Sequence, residues 1–252
     1  MKYLLSIFVL FSFLGQAGTI SIAAVPDCPY VCESNADEKG FLIDAVTDVF
    51  NDAGYDVSYE SVNTHEEAIK DLNAGKYDLV IGVDRKHPGL VFSKNPLAYK
   101  HNVIVVPTYS KWQYDSEESL MKLKLAVIKE LDYSPQITEH IRKYKYDETK
   151  VQVESGDFAR KRNLNKLRFE KVNALIDDRV SLRYFYFKKK KPFAFKIAYT
   201  SPAKAINAAF SKKNYKSKKY SEILKRGMKK LKRNKKMKKI LSKYGLSQAY
   251  IS

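Results

Sequence analysis

The chain has 252 residues, 44% of them hydrophobic and 29% charged, with only 10 Gly and 8 Pro, which excludes a disordered, collagen-like or low-complexity protein. Its only long apolar run lies in roughly the first dozen residues, which excludes a multi-span membrane protein. The net charge of +18 is local: residues 183–252 hold 23 of the 46 Lys and Arg but one of the 28 acids, Glu222. Any anionic partner must be argued from that end.

Lys2 followed by the apolar residues 3–14 has the form of a secretory signal, too short to serve as a comfortable membrane anchor. Cleavage after Ala17, with Gly15 at the −3 position, is preferred to cleavage after Ala24, because residues 19–25 read as a buried strand. No Cys follows either site, so no lipid anchor is expected, and the mature protein is expected in the periplasm. There Cys28 and Cys32 are most simply a disulfide that stiffens the loop carrying Tyr30. A metal site is the sharper alternative, but the pair supplies half a ligand set and no His lies near.

The next stretch, 40–54, places apolar residues at 42, 43, 46, 49 and 50, which is helical spacing, and Gly54 suits its end. Residues 55–62 alternate as a strand does. Thr64 and Glu67 form a capping-box pattern that opens a helix running to Gly75, and 76–82 is a short buried strand. Strand, helix, strand, helix, strand implies a largely parallel sheet in an α/β layer. After a β-branched run at 102–107, the alternation repeats. Strands are predicted at 123–128, 151–154 and 171–177, and helices at 134–144, 158–169 and after Asp178. The chain is extended at 193–200 and 205–210. Two helices close it, one with Tyr220, Ile223, Leu224 and Leu231 and one with Met237, Ile240, Leu241 and Tyr244, ending at Gly245. No Pro/Gly/Ser-rich linker divides the two α/β units.

Four phrases in this order resemble the bacterial extracellular solute-binding proteins, in the branch of the polar-amino-acid-binding proteins. They are the opening strand with Pro29-Tyr30 and 40–44, Gly-Phe-Leu-Ile-Asp; residues 68–82; Phe92-Ser93 through Pro96 into 102–107; and 172–178, Val-Asn-Ala-Leu-Ile-Asp-Asp, with a closing Ile-Leu-Ser-Lys-Tyr-Gly at 240–245. The resemblance implies a two-lobed α/β fold of the type II periplasmic-binding kind, each lobe a mostly parallel sheet flanked by helices. After a signal at 1–17, lobe 1 would span 18–107 and lobe 2 108–197. Residues 198–252 would return through the hinge to complete lobe 1. Hinge crossings are expected near 105–109 and 198–202, with a solute bound in the cleft between the lobes.

The resemblance also implies site residues. Arg85 lies near the position of an arginine that clamps a ligand carboxylate, as a guanidinium fork can, though the spacing to Phe92 is off by one and a plain loop role competes. Asp178 falls where an acid meets a ligand amine, with Asp177 as a substitute and helix capping as the competing role. Tyr30 would wall the ligand or simply pack. Tyr133 and Ser134 precede the first helix of lobe 2, where Ser134 would cap it and touch an anion. His65, His87, His101 and His140 are scattered, so no metal site is expected.

No Gly-x-Ser-x-Gly, phosphate loop or His-Glu-x-x-His is present, so no catalytic residue and no cofactor is expected. The expected function is capture of a small polar solute, such as an amino acid, by a monomer for an ABC-type importer. Two alternatives stay open: a sensory or envelope-associated protein with a degenerate cleft, docking on anionic surfaces through its basic face, and a small-molecule lyase on the same fold. The basic helices are expected to pack by their apolar stripe, leaving lysines in water for non-specific polyanion contact.

Overall fold

Strand β1 (Thr19–Ala24) lies at the centre of the first sheet, between β2 (Asp56–Ser61) and β3 (Leu79–Ile81), parallel to both. Its half-buried polar side chain, Ser21, is satisfied: its hydroxyl and backbone N–H each lie 3.1 Å from Asp78 Oδ2. The computed structural model describes residues 18–251, so the expected signal at 1–17 lies outside the described residues.

Between β1 and β2 runs α1 (Phe41–Asp52), whose apolar face, including Phe41, Leu42, Val46 and Phe50, is buried. Helix α2 (His65–Ala74) begins as the capping pattern predicts, with Thr64 Oγ1 accepting from the Glu67 N–H at 3.1 Å; the Glu67 carboxylate reaches back one residue further, to the Asn63 N–H. Two short strands, β4 (Leu90–Phe92) and β5 (Ala98–Lys100), were not legible in the sequence; three residues are too few for any alternation to show.

The second sheet takes β6 (Asn102–Val106), β7 (Leu125–Ile128), β8 (Val151–Glu154), β9 (Ala174–Asp178) and β10 (Lys196–Thr200). A 3-10 helix over Glu117–Lys122 precedes β7, and α3 (Pro135–Tyr144), α4 (Ala159–Arg168) and α5 (Arg179–Lys188) connect the strands. The chain then returns through β11 (Lys204–Ile206) to β12 (Ala208–Ser211) in the first sheet, and ends in α6 (Ser217–Arg233) and α7 (Lys236–Lys243).

The strand orders are β2-β1-β3-β12-β4 and β10-β6-β9-β7-β8, with β11 and β5 forming a separate antiparallel pair. Each large sheet is mixed: β12 runs antiparallel to β3, and β6 antiparallel to β9. This is a two-lobed α/β architecture with the β5/β11 ribbon between the lobes. Because β6 pairs with β9 and β10 along its length, it belongs wholly to the second lobe. The first crossing therefore falls at residues 98–102, a few positions before the expected 105–109. The β-branched run there is a buried strand of lobe 2 and not a hinge.

Each lobe has apolar packing on both sheet faces. In the first, α1, α6 and α7 cover one side with Phe41, Phe50, Leu224, Leu241 and Tyr244, and α2 covers the other with Ala68 and Leu72. In the second, Ile104, Leu125 and Ile137 pack on one side and Val103, Leu164, Leu167 and Leu182 on the other. Gly227 lets α6 approach α1, since a Cβ there would lie 2.3 Å from Val49 Cγ1. No helix among the described residues is long and apolar enough to cross a membrane.

Candidate functional site

The two lobes meet where the loop after β1 faces the C-terminal end of β9. The disulfide Cys28–Cys32 closes that loop, as expected from its two cysteines, and Tyr30 is carried at its tip. Gly40 makes the adjoining turn possible: its φ is 101°, and a Cβ there would sit 2.6 Å from the Tyr30 carbonyl oxygen. Tyr30 is thereby pressed inward against Phe41, with ring centroids 5.3 Å apart.

Its hydroxyl crosses to the other lobe and donates to Asp178 Oδ2 at 3.1 Å. Asp178 is fully buried. Its other oxygen, Oδ1, accepts the Ser181 N–H at 2.7 Å, so it caps α5 while it bonds to Tyr30. The capping role weighed from the sequence is present in this carboxylate. Next to it, Asp177 receives the Arg160 guanidinium as a two-pronged fork, at 2.6 and 2.8 Å. Asp177 Oδ1 also accepts the Asp178 N–H.

Lys100, at the end of the ribbon strand β5, completes the centre. Its ammonium pairs with Asp27 and lies 5.3 Å from the Tyr30 ring centroid, a cation–π distance. Burial raises the Asp178 carboxyl above the usual carboxylate range, against the opposing field of Lys100. Burial works against the Lys100 charge, but Asp27 and Asp178 outweigh it and hold its pKa above the usual lysine range. Burial and then the Asp178 charge push the Tyr30 phenol up, so it stays a donor. Arg160 is raised in the same manner as Lys100, its burial outweighed by Asp177.

Around this centre stand groups from the loops. Lys204 of β11 pairs with Asp132, and Asn102 Nδ2 donates to the Asp132 carbonyl at 2.7 Å. Ser134 occupies the N-cap position of α3 but makes no capping bond, and its Oγ is buried without a partner. His65 Nδ1 is likewise buried and unpartnered, and burial lowers its pKa.

Of the residues expected from the sequence, Tyr30 and Asp178 are brought into direct contact. Tyr133 and Arg85 are engaged elsewhere. The Tyr133 hydroxyl donates to the Ile128 carbonyl and accepts the Ile128 N–H, both at 2.8 Å, which closes the loop between β7 and α3. Arg85 donates from Nε to Asn207 Oδ1 at 2.9 Å and from Nη2 to the Ser93 carbonyl at 2.6 Å. Its guanidinium thus ties its own loop to the residues beside β4 and β12 within lobe 1.

Sequence reasoning missed Asp27, Lys100, Arg160 and Lys204. One signal was available. Two adjacent acids at the end of a buried strand, Asp177 and Asp178, cannot stay charged without cations beside them. The sequence does not say which of many lysines and arginines the topology delivers. Among the described residues no group of three or more His, Cys, Asp or Glu side chains is placed to hold a metal ion.

Comparison with known proteins agrees with this architecture. Residues 20–247 match the family described as bacterial extracellular solute-binding proteins, family 3. The second substrate-binding domain of a putative amino acid ABC transporter from Streptococcus pneumoniae is similar in structure, with a TM-score of 0.67 at 20% identity over 89% of this chain and 99% of that one. Substrate-binding domain 2 of Lactococcus lactis GlnP, in an open conformation, gives 0.65 at 16% identity, over 91% and 96%. The L-cystine solute receptor of Neisseria gonorrhoeae, unliganded and open, gives 0.65 at 17%, over 91% and 93%. At these identities the likeness is one of fold. No curated protein matches the chain in sequence.

Proposed function

Because this chain belongs to the bacterial extracellular solute-binding proteins, family 3, we propose that it captures a small polar solute in the cleft between its lobes, in the periplasm, for delivery to an ABC-type importer. The observation that carries this reading is the Tyr30–Asp178 bond across the cleft, in which lobe 1 supplies the aromatic wall and lobe 2 the buried acid. In this reading a solute contacts Tyr30, Lys100 and Asp178 on the inner side and Ser134 at the head of α3. Arg85 and Tyr133 act by holding their loops in place.

Closure about the β5/β11 ribbon fits the fold, since two short strands can absorb a hinge rotation without disturbing either large sheet. The solute is bound and released unchanged. Amino acids and small organic acids are the first classes to test, given that the Streptococcus and Neisseria proteins are named for amino acid and cystine binding.

The test is thermal unfolding of residues 18–252 against such a panel. A ligand at 100 times its Kd adds about 2.7 kcal/mol, a rise of roughly 5–11 °C for a chain of this size. Recovery of the ligand intact after long incubation with protein separates binding from turnover. No rise with any panel member would count against the reading, and consumption of a member by a trace of protein would replace it with the lyase alternative.

A further inference from the structure

Lobe 2 holds a cavity of about 670 Å³ between α4 and α5, at the end of the lobe away from the cleft. Strand β6 leads to it: Asn102, its first residue, stands opposite Asp178, and Pro107 to Tyr109, just past its last, line the cavity. Leu164 and Leu167 of α4, Phe185 and Tyr186 of α5, and Phe195 before β10 give it an apolar lining. At one edge the Tyr109 hydroxyl donates to Glu170 Oε1 at 2.6 Å, tying the loop after β6 to the turn after α4. The size and the lining suit a small organic ligand.

The cations beside it differ from their neighbours. Helix α4 carries five. Arg160 pairs with Asp177, and Arg162 and Lys166 pair with Glu154. Lys161 and Arg168, the two that line the cavity, have no carboxylate partner among the described residues, and neither do Lys189 and Lys191 across from them. Glu170, the acid on the lining, is taken by Tyr109. Arg168 and Lys189 stand at helix C-termini, where a cation is favoured without any ligand. That reason does not extend to Lys161, which lies in the first turn of α4, the end that disfavours a cation. An apolar lining with unpaired positive charge around it fits a guest that is apolar along its body and anionic at one end. A fully polar anion would lose its water against Leu and Phe, and a cation would meet four like charges.

We propose that this cavity is a second binding site, separate from the cleft, for an amphipathic monoanion: a carboxylate carried on a medium-length apolar chain. The chain would lie against Leu164, Phe185 and Phe195, and the carboxylate would face Lys161, Arg168 and Lys189.

Calorimetric titration of residues 18–252 with three ligands of one chain length tests it: decanoate, decanol and decylammonium. Decanoate should bind one to one, and at least tenfold more tightly than either of the others. Lys161→Gln, Arg168→Gln and Lys189→Gln combined should weaken decanoate at least tenfold and leave decanol as it was. Lys212→Gln, Lys218→Gln and Lys239→Gln combined, on the basic closing segment, should change neither. All six side chains are exposed, so neither triple variant should disturb folding. Decanol binding as tightly as decanoate, an equal loss from both triple variants, or no decanoate binding at all overturns the proposal. So does loss of decanoate binding in folded Tyr30→Phe, which would put the chain in the cleft.

Discussion

At the scale of single residues, the cleft depends on positions whose reasons are steric as much as chemical. Gly40 is the clearest. Its backbone has φ 101°, and a Cβ would lie 2.6 Å from the Tyr30 carbonyl oxygen and 2.7 Å from Val31 Cα, atoms that cannot move aside without moving the disulfide loop. Gly40→Ala should lower stability by about 3 kcal/mol, the upper end for a strained backbone, and reduce solute binding together with Tm in a thermal melt. A substitution tolerated within 1 °C would show that the loop can shift freely. The sequence pointed to Tyr30 and Asp178 through the family resemblance, and the structure brings the two into contact. Lys100 and Arg160 were not legible there. Their roles come from tertiary approach, Lys100 from a three-residue ribbon and Arg160 from the first turn of a helix whose own sequence is mostly polar.

Among the elements, the helices and most of the buried strands were legible, while the three-residue β4 and β5 were not. Helices α1, α2, α6 and α7 announce themselves through apolar spacing and end signals, while β4, β5 and β11 are three-residue strands that exist because neighbouring strands offer them partners. In α6 the stripe of Tyr220, Leu224, Met228 and Leu231 is buried on lobe 1, and the lysines beside it face water. Leu224→Ala should therefore cost about 2–5 kcal/mol, whereas Lys229→Ala and Lys232→Ala should each stay within about 0.5 kcal/mol, as read by denaturant titration. Equal effects would mean that the helix is held by its charges. Helices α2 and α3 carry a second testable property, for burial lowers the pKa of His65 in the first and His140 in the second. Between those lowered values and about 6.5, the unfolded chain binds more protons than the folded one. Stability from this source is full above about pH 6.5 and is lost as pH falls. Chemical denaturation between pH 7 and 5 should show that decline, and His140→Leu should flatten it; a variant with an unchanged slope would assign the acid sensitivity elsewhere.

At the scale of the whole molecule, the closing helices carry a strongly basic surface. On α6, α7 and the turn before them, Lys212, Lys213, Lys218, Lys229, Lys232, Arg233, Lys238 and Lys239 are exposed, while Lys230, Lys236 and Lys243 are paired with Asp52, Asp48 and Asp44 of α1. The protein should bind a heparin column and elute at a salt concentration that falls when Lys218, Lys229, Lys232 and Lys239 are replaced by Ala, with solute affinity unchanged. Coupled loss of both would join the basic face to the cleft and favour an envelope-docking role. The central claim is that a solute is held by both lobes at once. Hydrogen–deuterium exchange tests it most directly, on residues 18–252 with and without the panel acid that gives the largest rise in Tm. Exchange should slow together at 27–33 and 98–102 on one side and at 131–136 and 177–181 on the other, and stay unchanged over 212–243. Protection confined to one lobe, or to the basic helices, would contradict the account.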